Sequence, residues 1–162
     1  MSCNEKNKEI NPQSNILKYY VIDIHSKNAN IKYSKILNKK FSDSIYYQLV
    51  QSKYTKNEYK FPIQKEAKTI KINEIFTGKL IDKKEYQTDS EINIVYKYYY
   101  KSRANDGDEL IFFNPNYGIL ITKSISWGNY EMLIGSEKKS DTAKIFYLNQ
   151  KIISDCNFFN YE

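Results

Sequence analysis

Glu91-Ile-Asn-Ile-Val-Tyr-Lys-Tyr-Tyr-Tyr-Lys101, Leu110-Ile-Phe-Phe113, Ile119-Leu-Ile-Thr-Lys-Ser-Ile125 and Tyr130-Glu-Met-Leu-Ile134 are four runs of β-type residues in close succession. Asn105-Asp-Gly-Asp108, Asn114-Pro-Asn-Tyr-Gly118 and Trp127-Gly-Asn129 separate them. Asn, Asp, Gly and Pro accept the backbone angles of tight turns. β-branched and aromatic side chains fit a pleated, half-buried surface. The spacing predicts an antiparallel meander from Glu91 to Ile134. This stretch sets the fold class: mainly β, a curved sheet or partial barrel, with a single C-terminal helix as the one α element.

Upstream, Leu17–His25 alternates Tyr20, Ile22 and Ile24 with Tyr19, Val21, Asp23 and His25, which is the period of a strand with one apolar face. Lys27–Asn30 reads as a turn and Ile31–Leu37 as a short strand. Ile45–Tyr54 fits either a helix capped by Ser42 or a strand with Ile45, Tyr47 and Leu49 on one face; the β-rich composition favours the strand. Tyr54–Lys68, broken by Phe61-Pro62, reads as a loop or edge, because proline cannot donate to a sheet ladder. Thr69–Ile81 reads as a strand with a bulge at Gly78, and Asp82–Ser90 as a charged turn.

Downstream, Asp141 is placed to cap a helix through Asp155, with Ile145, Leu148 and Ile152 on one face. A hairpin turning at Asn149-Gln150 is the rival. Cys156, Phe158, Phe159 and Tyr161 close the chain, and the aromatics are expected to pack back on the sheet. No internal repeat shows a fixed period.

With 162 residues, the chain suits a single domain that buries a sizeable core. Hydrophobic residues at 41% and charged ones at 27% indicate a globular chain, not a disordered one. No apolar run approaches the roughly 20 residues of a membrane-spanning helix. Net charge is +6, yet Arg103 is the only arginine among 25 cationic residues. Arginine reads guanine and clamps phosphate, whereas lysine is a point charge. The Lys, Asn, Ile and Tyr excess matches proteins of AT-rich genomes and explains the charge better than a nucleic-acid footprint.

Residues 1–15 are polar and aperiodic and read as a flexible tether, leaving 16–162 as a single mainly-β domain. Ser2-Cys3, followed by a charged spacer, resembles the junction of a processed bacterial envelope lipoprotein. That resemblance implies lipid attachment at Cys3 and an address in the cell envelope, periplasm or outer membrane. Without it the chain reads as cytoplasmic. An upstream apolar signal segment is the expected companion of such a junction. The order of strand, Asn114-Pro-Asn-Tyr-Gly118 turn and last strands is also similar, at the level of fold alone, to small envelope proteins with an incomplete barrel.

Residues with catalytic potential are sparse. His25 is the only histidine, and a lone histidine at a strand end is an ordinary structural residue more often than a catalyst. Asp106, Asp108 and Glu109 offer oxygen ligands to calcium but lack the distal acidic positions of a calcium loop, so a solvated turn is the favoured reading. Cys3 and Cys156 have no metal-ligand spacing. No phosphate loop, dinucleotide fingerprint or nucleophile elbow is present. No cofactor, metal site or catalytic residue is expected. Paired carboxylates remain open, because sequence spacing does not show which of them face one another.

The notable set is aromatic: Tyr98, Tyr99, Tyr100, Tyr117, Trp127 and Tyr130. Tyr and Trp anchor interfaces and stack on sugars or bases. Tyr98 and Tyr100 point opposite to Tyr99, so a one-sided sheet would leave tyrosine exposed. The sequence therefore points to a non-catalytic binding module with a protein partner, of the immunity or inhibitor type or an assembly accessory. The alternatives are a carrier holding a glycan or lipid in a concave sheet face, and a basic nucleic-acid-binding protein.

Overall fold

The computed structural model describes residues 10–23, 28–40, 44–50, 56–62, 67–73, 76–88, 91–102, 107–135 and 139–161, with side chains in 67–73, 76–88, 91–102, 107–135 and 140–161. The elements run β1 Ile10–Asp23, β2 Asn28–Lys40, β3 Ser44–Val50, β4 Lys56–Pro62, β5 Thr69–Ile72 and β6 Phe76–Gln87, then β7 Ile92–Tyr100, β8 Glu109–Asn114, β9 Gly118–Ser124 and β10 Tyr130–Gly135. Two helices follow, α1 Lys139–Ser154 and α2 Cys156–Phe159. The expected meander is present as β7–β10, and β5 and β6 extend it to six antiparallel strands in one curved sheet. Backbone pairing continues from β4 through β1, and β1 returns to β10, so the ten strands close into a barrel. The mainly-β class with a C-terminal helix holds.

The turns follow the residues that mark them. Asn114 Oδ1 accepts from the backbone N–H of Asn116 at 2.9 Å and of Tyr117 at 3.1 Å, and Gly118 at φ 87° completes the β8–β9 turn. Ile45–Val50 belongs to β3, in line with the strand reading, and 51–54 lie outside the described residues. Four expectations need correction. β1 begins at Ile10, which pairs with Lys40, inside the stretch read as a tether. Lys56–Pro62 is a strand paired on both sides, with Pro62 at its last position, where a missing donor is tolerated. Thr69–Ile81 is two strands, because Asn73 takes φ 50° and turns the chain. Asp82–Gln87 belongs to β6, and the register shift lies between Leu80 and Asp82, not at Gly78. Charged residues persist in that strand because Asp82 to Glu85 are exposed.

Cross-strand partners share a face of the sheet. The row Lys97, Phe112, Ile121, Met132 lies on the outer face, beneath the C-terminal helices. The row Leu80, Tyr98, Ile111, Thr122, Glu131 lies on the inner face. At β5 and β6 the outer residues Thr69, Lys71, Thr77 and Lys79 are exposed, while Ile70 and Gly78 are buried within. β8 is covered on both sides, and Leu110 to Asn114 are all buried.

Ile145, Leu148, Asn149 and Ile152 form the sheet-facing stripe of α1, as the i, i+3, i+7 pattern predicts. Asn149 donates to the Leu133 carbonyl. Lys144 binds Glu91 at 2.7 Å, Tyr147 donates its hydroxyl to the Gln87 carbonyl at 3.1 Å, and Lys84 pairs with Asp155. Asp155 caps α2 by accepting from the Phe158 N–H at 3.2 Å. Phe158 then packs edge-on to Tyr86 and Phe112, and Phe159 stacks on Phe112. Two buried lysines hold this seam. Lys97 Nζ donates to the Asn160 carbonyl at 2.6 Å, and Lys123 Nζ to Asn160 Oδ1 at 2.7 Å.

Candidate functional site

The antiparallel order brings the end of β7, the start of β8, the end of β9 and the start of β10 to one end of the barrel. Asp108 organises that end. Its carboxylate accepts from the Tyr99 hydroxyl at 2.7 Å and from the Ser102 N–H at 2.9 Å, and its carbonyl accepts from the Ile125 N–H at 2.9 Å. The β9–β10 turn is closed by Ser124: its N–H donates to the Asn129 carbonyl, and its hydroxyl accepts from the Trp127 N–H. Gly128 at φ 67° lets the turn reverse.

A cavity of about 200 Å³ opens here, lined by Glu109, Thr122, Ser124, Asn129, Tyr130 and Glu131. Glu109 pairs with Ser124, and Thr122 with Glu131, so the two glutamates stand on either side of β9 on the inner face. Burial pushes the Glu109 carboxyl above the usual carboxylate range, and the neighbouring Glu131 charge pushes it the same way. Burial also raises the Tyr130 hydroxyl.

The six aromatic candidates are distributed over three places. Tyr99, Tyr100, Trp127 and Tyr130 gather at this end. Trp127 is 54% exposed. Tyr99 stacks on Tyr161 with ring centroids 4.7 Å apart, Tyr100 meets Phe76 edge-on, and Tyr130 meets Phe159 edge-on. Tyr98 is buried inside the barrel and donates its hydroxyl to the Ala67 carbonyl at 3.2 Å. Tyr117 lies at the opposite end, where its hydroxyl bonds Glu91 at 3.3 Å. The triplet argument required a sheet with one open face; here the helices cover one side of β7 and the barrel encloses the other.

The cavity escaped sequence reading, which grouped Glu109 with Asp106 and Asp108. Adjacent strand residues point to opposite faces, and that alternation was the available signal separating Glu109 from Asp108. Asp106, His25 and Cys3 lie outside the described residues. Cys156 is an exposed free thiol. Among the described residues, no group of three or more His, Cys, Asp or Glu is placed to hold a metal ion, and no helix is long and apolar enough to cross a membrane. A scan against models of known protein families finds no match, and no curated protein matches the chain.

Proposed function

We propose that the protein is a non-catalytic binding module that takes a saccharide group at the Asp108 end of its barrel. The polar cavity between β8, β9 and β10 carries this reading. Among its described lining residues, two carboxylates, two hydroxyls and one amide suit a ring edged with hydroxyl donors. A lipid chain would require an apolar lining instead. At about 200 Å³ the cavity is smaller than drug-sized sites. It suits one ring better than the two units a glycosidase must hold across the bond it cleaves.

The test uses Trp127, the only tryptophan, as a fluorescent reporter beside the cavity. Titration with monosaccharides and short oligosaccharides is expected to shift its emission saturably. Incubation with aryl glycosides is expected to release no phenol. Flat titrations overturn the saccharide reading, and enzyme-dependent phenol release overturns the non-catalytic one.

Exposed Trp127 on a tight turn supports a second reading, in which a protein partner of the immunity, inhibitor or assembly type anchors on this rim. Trp127→Ala would then abolish capture of that partner while cavity substitutions would not. The envelope address is a separate proposal resting on Cys3. Labelled fatty acid should enter the protein in a bacterial host carrying the full gene, and Cys3→Ser should remove the label.

A further inference from the structure

A separate groove lies where α1 meets α2 over the end of β6. Its volume is about 430 Å³, within the range of small-molecule sites, and Tyr86, Lys151, Ser154, Asp155, Cys156 and Asn157 line it. Cys156 brings an exposed free thiol. Tyr86 enters from the sheet side; it is 8% exposed, and its hydroxyl is buried with no hydrogen-bond partner. Burial first, then the charges of Asp155 and Asp82, hold that hydroxyl protonated well above the ordinary tyrosine range. It is therefore a donor at neutral pH, and a buried donor left unpaired costs free energy that an incoming acceptor recovers. Lys84 takes up the Asp155 carboxylate. Lys151 holds its ammonium 5.3 Å from the centre of the Tyr147 ring and pairs with no carboxylate among the described residues.

We propose that Cys156 is a modification site for a carboxylate-bearing low-molecular-weight thiol, carried in this groove as a mixed disulfide, with Lys151 and Tyr86 binding its carboxylate and carbonyl oxygens. The Cys156 thiolate, its proton given to solvent, attacks one sulfur of a small disulfide. The new S–S bond forms as the old one breaks, and the departing thiolate takes the electron pair and then a proton. One disulfide is consumed for each one made, so the small disulfide is the only oxidant required. A thiol that carries carboxylates gains charge-assisted bonds in this groove, and a cationic thiol does not.

The full chain with Cys3→Ser, which leaves Cys156 as the only thiol, would be equilibrated with oxidised and reduced glutathione and, separately, with cystamine and cysteamine. Intact-mass spectrometry reads the adduct. The exchange constant for glutathione is expected to be about tenfold or more higher in the folded protein than in urea, the ratio that one charge-assisted hydrogen bond supplies. Cystamine is expected to show no such gain. Lys151→Ala should remove most of the glutathione gain. Tyr86→Phe should also reduce it without lowering the melting temperature of the unmodified protein, because the hydroxyl it deletes bonds nothing there. Equal constants in the folded and urea-unfolded protein would mean an ordinary surface thiol and overturn the proposal. A cystamine gain equal to that of glutathione, or a glutathione gain unaffected by both substitutions, would overturn it as well.

Discussion

Lys123, a residue only 9% exposed, holds its Nζ 4.0 Å from the centre of the Phe159 ring. The same ammonium group donates to the Phe159 carbonyl at 3.3 Å and to Asn160 Oδ1 at 2.7 Å. Burial lowers the Lys123 pKa, and the charge of Lys97 lowers it further. The C-terminal segment is therefore held by buried cations as well as by its phenylalanines. Hydrogen bonds to charged groups contribute roughly 1.5–3 kcal/mol. Lys123→Ala should accordingly destabilise the fold by about 2 kcal/mol in urea unfolding and speed proteolytic trimming of the C-terminus.

Phe158 carries more of that seam. It is 2% exposed and touches both Tyr86 and Phe112. Phe158→Ala should cost about 3–5 kcal/mol through lost burial and the cavity left behind. Differential scanning calorimetry would measure it. A loss below about 1 kcal/mol would mean that α2 does not close the core in solution.

Gly78 is there for close approach between neighbouring strands. A Cβ built on it would meet Ile70 Cγ1 at 2.8 Å. Gly78→Ala should destabilise by about 1–3 kcal/mol, the usual range for overpacking. Ile70→Ala removes the clashing atoms, so the alanine at position 78 should cost less in that background. A double-mutant cycle with no coupling would reject the contact.

These relationships separate what was legible in the chain from what was not. The β7–β10 meander and α1 were legible because their signals are local: Asn114 and Gly118 mark a turn, and Ile145, Leu148 and Ile152 repeat at the helical period. β6 was misread as a turn after Ile81 because its exposed outer face carries charge. Lys97 and Lys123 look like surface lysines in sequence. They are buried because α2, more than 30 residues downstream of Lys123, lies over them. The fate of Tyr99 likewise depends on Tyr161, and no window around Tyr98–Tyr100 contains that partner.

Tyr99 gives a spectroscopic test of the barrel end. The Asp108 carboxylate that accepts its hydroxyl is the main cause lifting its pKa from 10.0 to about 12, with smaller contributions from burial and the Asp108 and Tyr161 charges. A folded pKa above the unfolded one means that the folded state holds its proton longer. The stability from this bond is present in full below pH 10 and is lost as pH rises towards about 12. Ultraviolet titration should show one tyrosine ionising earlier in Asp108→Asn than in the parent. An unchanged curve would separate Tyr99 from Asp108 in solution.

Glu109 tests the cavity without any ligand. Its folded pKa lies above the ordinary glutamate value of 4.5, so the folded state binds this proton more tightly than the unfolded one. The stabilising contribution is complete below pH 4.5 and is lost as pH rises through the folded pKa. Above that folded pKa the Glu109 charge is a burden, first through burial and then through Glu131, and Glu109→Gln should raise the melting temperature relative to the parent there. The gain should shrink as pH falls towards 4, where the parent carboxyl is also neutral. Melting curves for parent and variant across pH 4–8 would show the two converging at the acid end. A variant less stable than the parent at pH 7 would mean that the Glu109 carboxyl makes a favourable interaction that outweighs its burial.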